Sequence, residues 1–444
     1  MGSNSTVSQQ LAEFIHATTF GDLPPATIEQ AKSRVLDSLA TAIASRSLPV
    51  PTVALQFVQK NRGEATIFGH EQRVPTVDAA LVNGTLVNGT THDDFLAKSH
   101  AGAVVIPSGI AVAEEEGSSG REFLASVVLG YDLVARAYMG GPAMLPKFRA
   151  SGVAGAVGAA ATAGKLQKLT ASELVNALGL STMFASGFGE GFHAGTMDVK
   201  LNVGWACRSG VSASSLARLG ATSAPSAFEG RSGFFNAFAG TAEKAGETLR
   251  DLGNPFLIEK VSYKERPVCI FVQTPVHLAH RFAQETKPDP SKIKRVTIRV
   301  PDATYTNPGF KNVAPFSTPL QARVSARFCT AAALLGKPID QYAFYANTTD
   351  PEVLALAEKV DLLDPVGDTE HVCLEIIYDG ETYRLAGVEM ETLLPTTAKV
   401  VAKFKRLTMG FFGERMDQVL DTILNLDRVT QIRELTDQLR SQEA

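Results

Sequence analysis

Long apolar runs, basic runs and paired cysteines are all missing from this 444-residue chain. Each absence removes a class of function. The most apolar stretch, SGVAGAVGAAATAG, is too short and too rich in small residues to span a bilayer, so no membrane partner is expected. Lysines and arginines are scattered rather than interleaved with aromatics, and the formal net charge is −4, so nothing draws the chain to nucleic acid. Cys207, Cys269, Cys329 and Cys373 stand far apart, without a CxxC pair or metal-ligand spacing. They read as the reduced thiols of an intracellular protein. Neither GxxxxGKS/T nor GxSxG occurs, so phosphate-loop and serine-elbow chemistries have no support. The opening MGSNSTVSQQ is polar, which makes a cytoplasmic protein the expectation.

What is present is helical pattern. At 45% hydrophobic and 20% charged, the composition suits a globular chain, and its length suggests two to three core-sized units. From Pro25, PATIEQAKSRVLDSLATAIAS puts Ile28, Ala31, Val35, Leu39 and Ala42 on one face, with proline in the first turn. Two further helices follow, broken at Gly117–Gly120. SGVAGAVGAAATAGKLQKL is nearly devoid of large side chains, and such a helix suits the centre of a bundle. Thr170 and Glu173 have capping-box spacing. GWACRSGVSASSLARLG is a second small-residue helix. After about residue 267 the pattern changes: IKRVTIRVP alternates like a half-buried strand, and HVCLEIIYDGETYRLAGV is two strands joined at Asp379-Gly380. Helical segments are expected around 271–284, 317–335 and 351–359. The fold class is therefore mainly α: a large all-helical domain over 6–266, an inserted smaller α+β domain over 267–394, and a helical tail over 395–444 that rejoins the first.

The chemistry concentrates in NGTTHDDFLAKSHAG, which holds His92, Asp93, Asp94, Lys98 and His100 within fifteen positions. A solvated loop would explain it blandly. A metal site is the first rival, but the remaining histidines offer no convincing second set: His277 and His280 stand at i, i+3, yet no HExxH surrounds them. GEGFHA fits GxGxxA, yet a helix rather than a strand precedes it, so it reads as a glycine loop and not a dinucleotide fingerprint. Acid–base chemistry without a cofactor remains. His100 can carry a proton near neutral pH, and a desolvated lysine such as Lys200 can act as a base or clamp, although an isolated lysine is ordinarily exposed.

The order of segments resembles the MmgE/PrpD family, whose members include 2-methylcitrate dehydratase, cis-aconitate decarboxylase and iminodisuccinate epimerase. The matching stretches are NGTLVNGTTHDDFLAKSHAGAVVIPSGIAVAEE, GYDLVARAY, SGVAGAVGAAATAGKLQKL, GTMDVKLNVGWACRSGVSASSLARLG, YKERPVC and SARFCTAAALLGK. The similarity runs from about residue 8 to the C-terminus. It implies a helical domain plus an α+β lid, a homodimer, no organic cofactor, and a small polycarboxylate substrate; with the spacing argument above, no metal is expected either. Carried over by position, Asp93 and Asp94 match the family's paired carboxylates, His100 the histidine after them, Lys200 the lysine of the glycine-helix motif and Lys264 that of the KxxP motif. His100 and Lys200 are then the expected catalytic residues, and Asp93, Asp94 and Lys264, together with Arg149 and Ser325 of this chain, are expected to bind or orient the substrate.

The chain departs from the family pattern in places. Asp94 is followed by Phe95 where a threonine is common, and Arg149 replaces a histidine. Phe328 stands where a tyrosine is expected after Ser325, and Asn202 lies in LNVG where the family reads LHAG. Lost proton donors and gained guanidinium groups favour holding a diacid while one proton moves. The leading expectation is thus an epimerase of the iminodisuccinate type, with His100 and Lys200 on opposite faces of the substrate. A dehydratase or decarboxylase using the same residues is the alternative, and a non-catalytic carboxylate-binding protein is a further one.

Overall fold

A computed structural model describes residues 5–365, 371–388 and 394–441. The first four residues of the polar opening segment, two short stretches of the expected α+β domain and the last three residues lie outside them. The chain is mainly α and forms two compact units. Met1–Gly189, Met197–Val261 and Pro395–Ala444 make the first; Glu190–Thr196 and Ser262–Leu394 make the second.

The first unit opens with α1 (Val7–Ala17), α2 (Pro25–Ser45) and α3 (Pro49–Val58), then a short antiparallel pair, β1 (Ala65–Thr66) and β2 (Arg73–Val74). It continues through α4 (Thr76–Asn88), α5 (Gly102–Glu116), α6 (Gly120–Met139), α7 (Ala150–Leu166) and α8 (Ala171–Phe184). The string GEGFHA is not a glycine loop: α9 (Glu190–Ala194) is a helical turn of the second unit. The first unit resumes at α10 (Asp198–Arg218) and α11 (Phe234–Ala239).

Local signals explain most of these boundaries. Capping boxes open α1 at Thr6, α6 at Ser119 and α8 at Thr170, each satisfying two otherwise orphaned amides. Gly117, at φ 64, ends α5 in the left-handed conformation that glycine adopts without strain. The core sits on α7, whose small residues from Ala150 to Gly164 are buried and which packs against α5, α6, α8 and α10. Small faces allow the close approach. A Cβ on Gly210 of α10 would lie 2.6 Å from both the Ala156 carbonyl oxygen and the Ala160 nitrogen.

The second unit contains α12 (Ile270–Thr286), β3 (Ile293–Arg299), α13 (Asp302–Tyr305), α14 (Pro319–Val324), α15 (Ala326–Leu334) and α16 (Pro351–Ala357). Strands β4 (Val360–Leu362), β5 (His371–Tyr378) and β6 (Glu381–Val388) complete a four-stranded sheet ordered β4-β3-β5-β6. β4 runs parallel to β3, and the other pairs are antiparallel. Asp379 and Gly380 both have positive φ, as the two-residue hairpin turn requires. Burial alternates along β3 and β5, so one face is covered, and α12 and α15 pack on the sheet.

The chain then returns to the first unit as α17 (Thr397–Phe412), α18 (Met416–Leu424) and α19 (Arg433–Thr436), with α17 and α18 against α2. No described helix is long and apolar enough to cross a membrane.

Gly210→Ala should be destabilising by about 1–3 kcal/mol, because backbone atoms rather than a flexible side chain oppose the added carbon. Gly246→Ala, where nothing lies within 4 Å, serves as the control and should change stability by less than about 0.5 kcal/mol. Urea midpoints of the two variants measure the contrast, and equal midpoints would refute the close-packing account.

Candidate active site

The segment between α4 and α5 is not a solvated loop. His92, Asp93 and Asp94 are all at most 1% exposed. Three consecutive ionisable side chains out of water need specific partners, since an unpaired buried charge is expensive. Each carboxylate has them. Asp94 Oδ1 accepts the Gly102 amide at 2.9 Å, at the start of α5, and Oδ2 accepts the Tyr131 hydroxyl from α6 at 2.6 Å. Glycine is required at 102, because a Cβ there would lie 2.5 Å from the Tyr131 oxygen and 2.8 Å from Asp94 Oδ2. Asp93 Oδ2 accepts from Asn88 Nδ2 at 2.8 Å and faces His100 Nδ1 at 2.9 Å.

A tight turn brings His100 back to Asp93. Leu96 and Ser99 exchange both backbone hydrogen bonds at 2.8 Å, and the residues between them, Ala97 and Lys98, have φ of 46 and 60. That is the mirror-image turn of hairpins, made here without glycine or asparagine. Thr91 also lies at positive φ, 62, a rare conformation for a β-branched residue. Strain of this kind persists where the surroundings enforce it, and it clusters at functional sites. The His100 amide donates to Ser151 Oγ of α7 at 2.9 Å, and the Phe95 ring packs edge-on to the imidazole at 5.5 Å. The His100 side chain is 12% exposed against 1% for Asp93. The imidazole is therefore the member of the pair that a ligand can reach. A carboxylate on Nδ1 fixes the ring and leaves Nε2 on the far edge for proton transfer.

Two buried cations belong to the same unit. Lys200 lies inside α10, not ahead of it, and is 6% exposed; its Nζ donates to Thr91 Oγ1 at 2.9 Å, two residues before Asp93. The expected exposure of an isolated lysine does not hold here. Arg149 precedes α7 and donates from Nη1 to the Val199 carbonyl in the first turn of α10. Burial pulls its pKa down to about 10, with Asp93 and Asp198 opposing, so it stays charged at neutral pH. Thus Asp93, Asp94, His100, Arg149 and Lys200 all fall in the first unit, linked through residues 88–102 and the start of α10.

Lys264 and Ser325 fall in the second unit. Lys264 is 1% exposed. The Ser325 hydroxyl caps α15 by accepting the Phe328 amide at 3.3 Å and donates to the Asn312 carbonyl at 2.7 Å. Among the described residues, no group of three or more His, Cys, Asp or Glu side chains is placed to hold a metal ion.

Several residues beneath the loop were not anticipated from sequence: Tyr131, Asp37, Arg34 and Lys403. Lys403 of α17 donates to Asp37 Oδ1 at 2.8 Å and to the His92 carbonyl at 2.6 Å. Arg34 is fully buried, and its three guanidinium nitrogens have no hydrogen-bond partner among the described residues. Burial raises the Asp94 carboxyl to about 6, with Arg34 opposing, Asp37 adding to the rise, and the Tyr131 and Gly102 hydrogen bonds opposing it.

Comparison with known proteins identifies the family of the chain. The profile of the MmgE/PrpD N-terminal domain matches residues 9–247, and that of the MmgE/PrpD C-terminal domain matches residues 267–366. Cis-aconitate decarboxylase of Homo sapiens is 25% identical over 377 residues, covering 81% of this chain and 77% of that protein. The cis-aconitate decarboxylase of Aspergillus terreus (strain NIH 2624 / FGSC A1156) is 23% identical over 485 residues, covering 98% and 96%. That of Mus musculus is 25% identical over 386 residues, covering 81% and 76%.

The raised Asp94 carboxyl has a consequence for stability. A folded-state pKa of about 6, against 3.8 for the free group, means the folded protein holds this proton more tightly. Its contribution is full below pH 4 and is lost as pH rises toward 6. Asp94→Asn removes that loss; its amide oxygen can still accept the Gly102 amide, and its NH2 can donate to the Tyr131 oxygen once that hydroxyl turns away. Relative to the parent protein, the variant should gain up to about 3 kcal/mol between pH 4 and pH 7.5, read from urea midpoints. A pH-independent difference would show that the carboxyl is not held above its usual range.

Proposed function

Because the chain belongs to the MmgE/PrpD family, we propose that it is a lyase acting beside a carboxylate of a small di- or tricarboxylate by acid–base chemistry. His100 held by Asp93 is the observation that carries this reading, because it supplies one oriented imidazole without a further group. Decarboxylation of an unsaturated tricarboxylate is the favoured step, supported by the names of the relatives. In that step the bond to one carboxylate carbon breaks and carbon dioxide leaves. The bonding pair moves through the alkene, and the far alkene carbon takes a proton from the imidazolium. Lys200 and Arg149 bind the carboxylates that remain, Arg149 with a planar fork suited to two oxygens. Dehydration uses the same groups differently: His100 removes the carbon-bound proton and the Lys200 ammonium protonates the departing hydroxide. Neither step needs an organic cofactor. On the family pattern we take the protein to be a homodimer, and on its composition a cytoplasmic one.

Epimerisation is the second reading, and Arg149 favours it. A buried guanidinium stands where the family often has a histidine, replacing a proton donor with a carboxylate clamp. Removal and return of one proton, between His100 and Lys200, would then be the whole reaction.

A substrate panel in deuterium oxide separates the three. Gas release with one deuteron incorporated marks the decarboxylase, an alkene product marks the dehydratase, and exchange with inversion marks the epimerase. His100→Ala should lower kcat by about a hundredfold or more, the usual contribution of a positioned acid or base. Lys200→Ala should do the same or raise KM. Undiminished turnover by both variants would discard the assignment.

A further inference from the structure

We propose that Lys403, on the last long helix, is a positioning residue that fixes His100 and Asp93 and sets the proton affinity of His100. The inference builds on the acid–base reading of that pair, and it concerns a residue some 300 positions away in sequence. Three observations carry it. Lys403 Nζ reaches the His92 carbonyl at 2.6 Å, so it holds the backbone immediately before Asp93. The same nitrogen is paired with Asp37 Oδ1 at 2.8 Å, and both side chains are 1% exposed. A buried pair of this kind is poor at stabilising a fold, and hydrophobic residues of similar volume often do as well or better. What it supplies is a fixed charge at a fixed place.

The surroundings state which charges meet. α17 packs against α2, which presents Asp37 and Arg34, and the loop presents His92 and Asp93. Burial pulls the Lys403 ammonium below its ordinary range, Asp37 and Asp93 oppose that, and Arg34 adds to it. His100 itself faces Asp93, the Asp94 carbonyl, Phe95 and the Ser151 hydroxyl. The Asp93 carboxylate therefore acts on both His100 and Lys403. The fields of the surrounding charges add at the imidazolium: the lysine disfavours it and the Asp37 carboxylate favours it.

The sign follows. Neutralising Lys403 leaves more of the Asp93 charge for His100, so the imidazole should hold its proton to higher pH. Neutralising Asp37 exposes Asp93 to an unbalanced lysine, and the imidazole should release its proton earlier. Mere loosening of the loop would move both variants in one direction, toward the value of free histidine. The two substitutions thus separate an electrostatic role from a structural one.

The test is a histidine titration by NMR on the full-length protein labelled with nitrogen-15, without substrate. The chain has eight histidines, and His100 is identified by the signal lost in His100→Gln. In Lys403→Met and Lys403→Gln the His100 midpoint should rise by about half to one pH unit, the size expected for one nearby charge. Lys403→Arg should stay close to the parent protein, and Asp37→Asn should fall. If neither neutral variant at 403 folds, Asp37→Asn decides alone: a fall supports the proposal, and no change or a rise overturns it. Midpoints that do not move in the Lys403 variants, or that move the same way in all neutral variants, also overturn it. Because the measurement needs no turnover, failure of the lyase reading would appear separately, as absence of product.

Discussion

Burial of consecutive ionisable side chains between α4 and α5 is the constraint on which the first unit is organised. His92, Asp93 and Asp94 leave water together, and the segment can do so only where donors are brought to it. Those donors come from four directions: Asn88 from the end of α4, Gly102 from the start of α5, Tyr131 from α6 and Lys403 from α17. Each partner is itself buried, so none can turn back to solvent when the loop shifts. A site built this way is held in one geometry by the penalty for every alternative. Small residues make it feasible. With alanine and glycine along α7, the surrounding helices approach closely enough for short polar side chains to meet.

Parts of this were legible in the sequence, and the reasons are local. Thr170 with Glu173, and Asp379 with Gly380, are patterns whose consequences are settled within four residues, and both elements form where expected. Small-residue periodicity likewise pointed to a central helix. Burial of the acidic pair was not legible, because a run of polar residues between helices reads as exposed until its partners are known. The turn at Ala97-Lys98 carried no signal, since neither residue is one that favours positive φ. Arg34 and Asp37 sit on α2 among apolar residues and gave no hint that this helix is buried nearly all round. Lys403 was the least accessible of all. Two of its partners, Asp37 and the His92 carbonyl, are 366 and 311 residues away, and no periodicity links them.

The same arrangement bears on which reaction the site favours. Asp93 is shared: it orients His100 directly, it acts on the Arg149 guanidinium, and Lys403 feels its field. One carboxylate among three cationic or protonatable groups divides its pull among them. Where a neutral histidine occupies the place of Arg149, more of that pull reaches His100, and the imidazole is the better base and the weaker acid. A permanent cation at 149 moves the balance toward a stronger acid, which suits delivery of a proton to carbon after carbon dioxide leaves. Under the epimerase proposal the same cation would bind a carboxylate and restrain the substrate while a proton is exchanged. On that proposal an arginine in place of a histidine works on both outcomes through one charge. On the proposed readings, what distinguishes them is whether Lys200, tied to Thr91, serves as a second proton carrier or as a clamp. The fold holds the His100–Asp93 pair rigidly, so under that proposal the choice between reactions falls to Lys200.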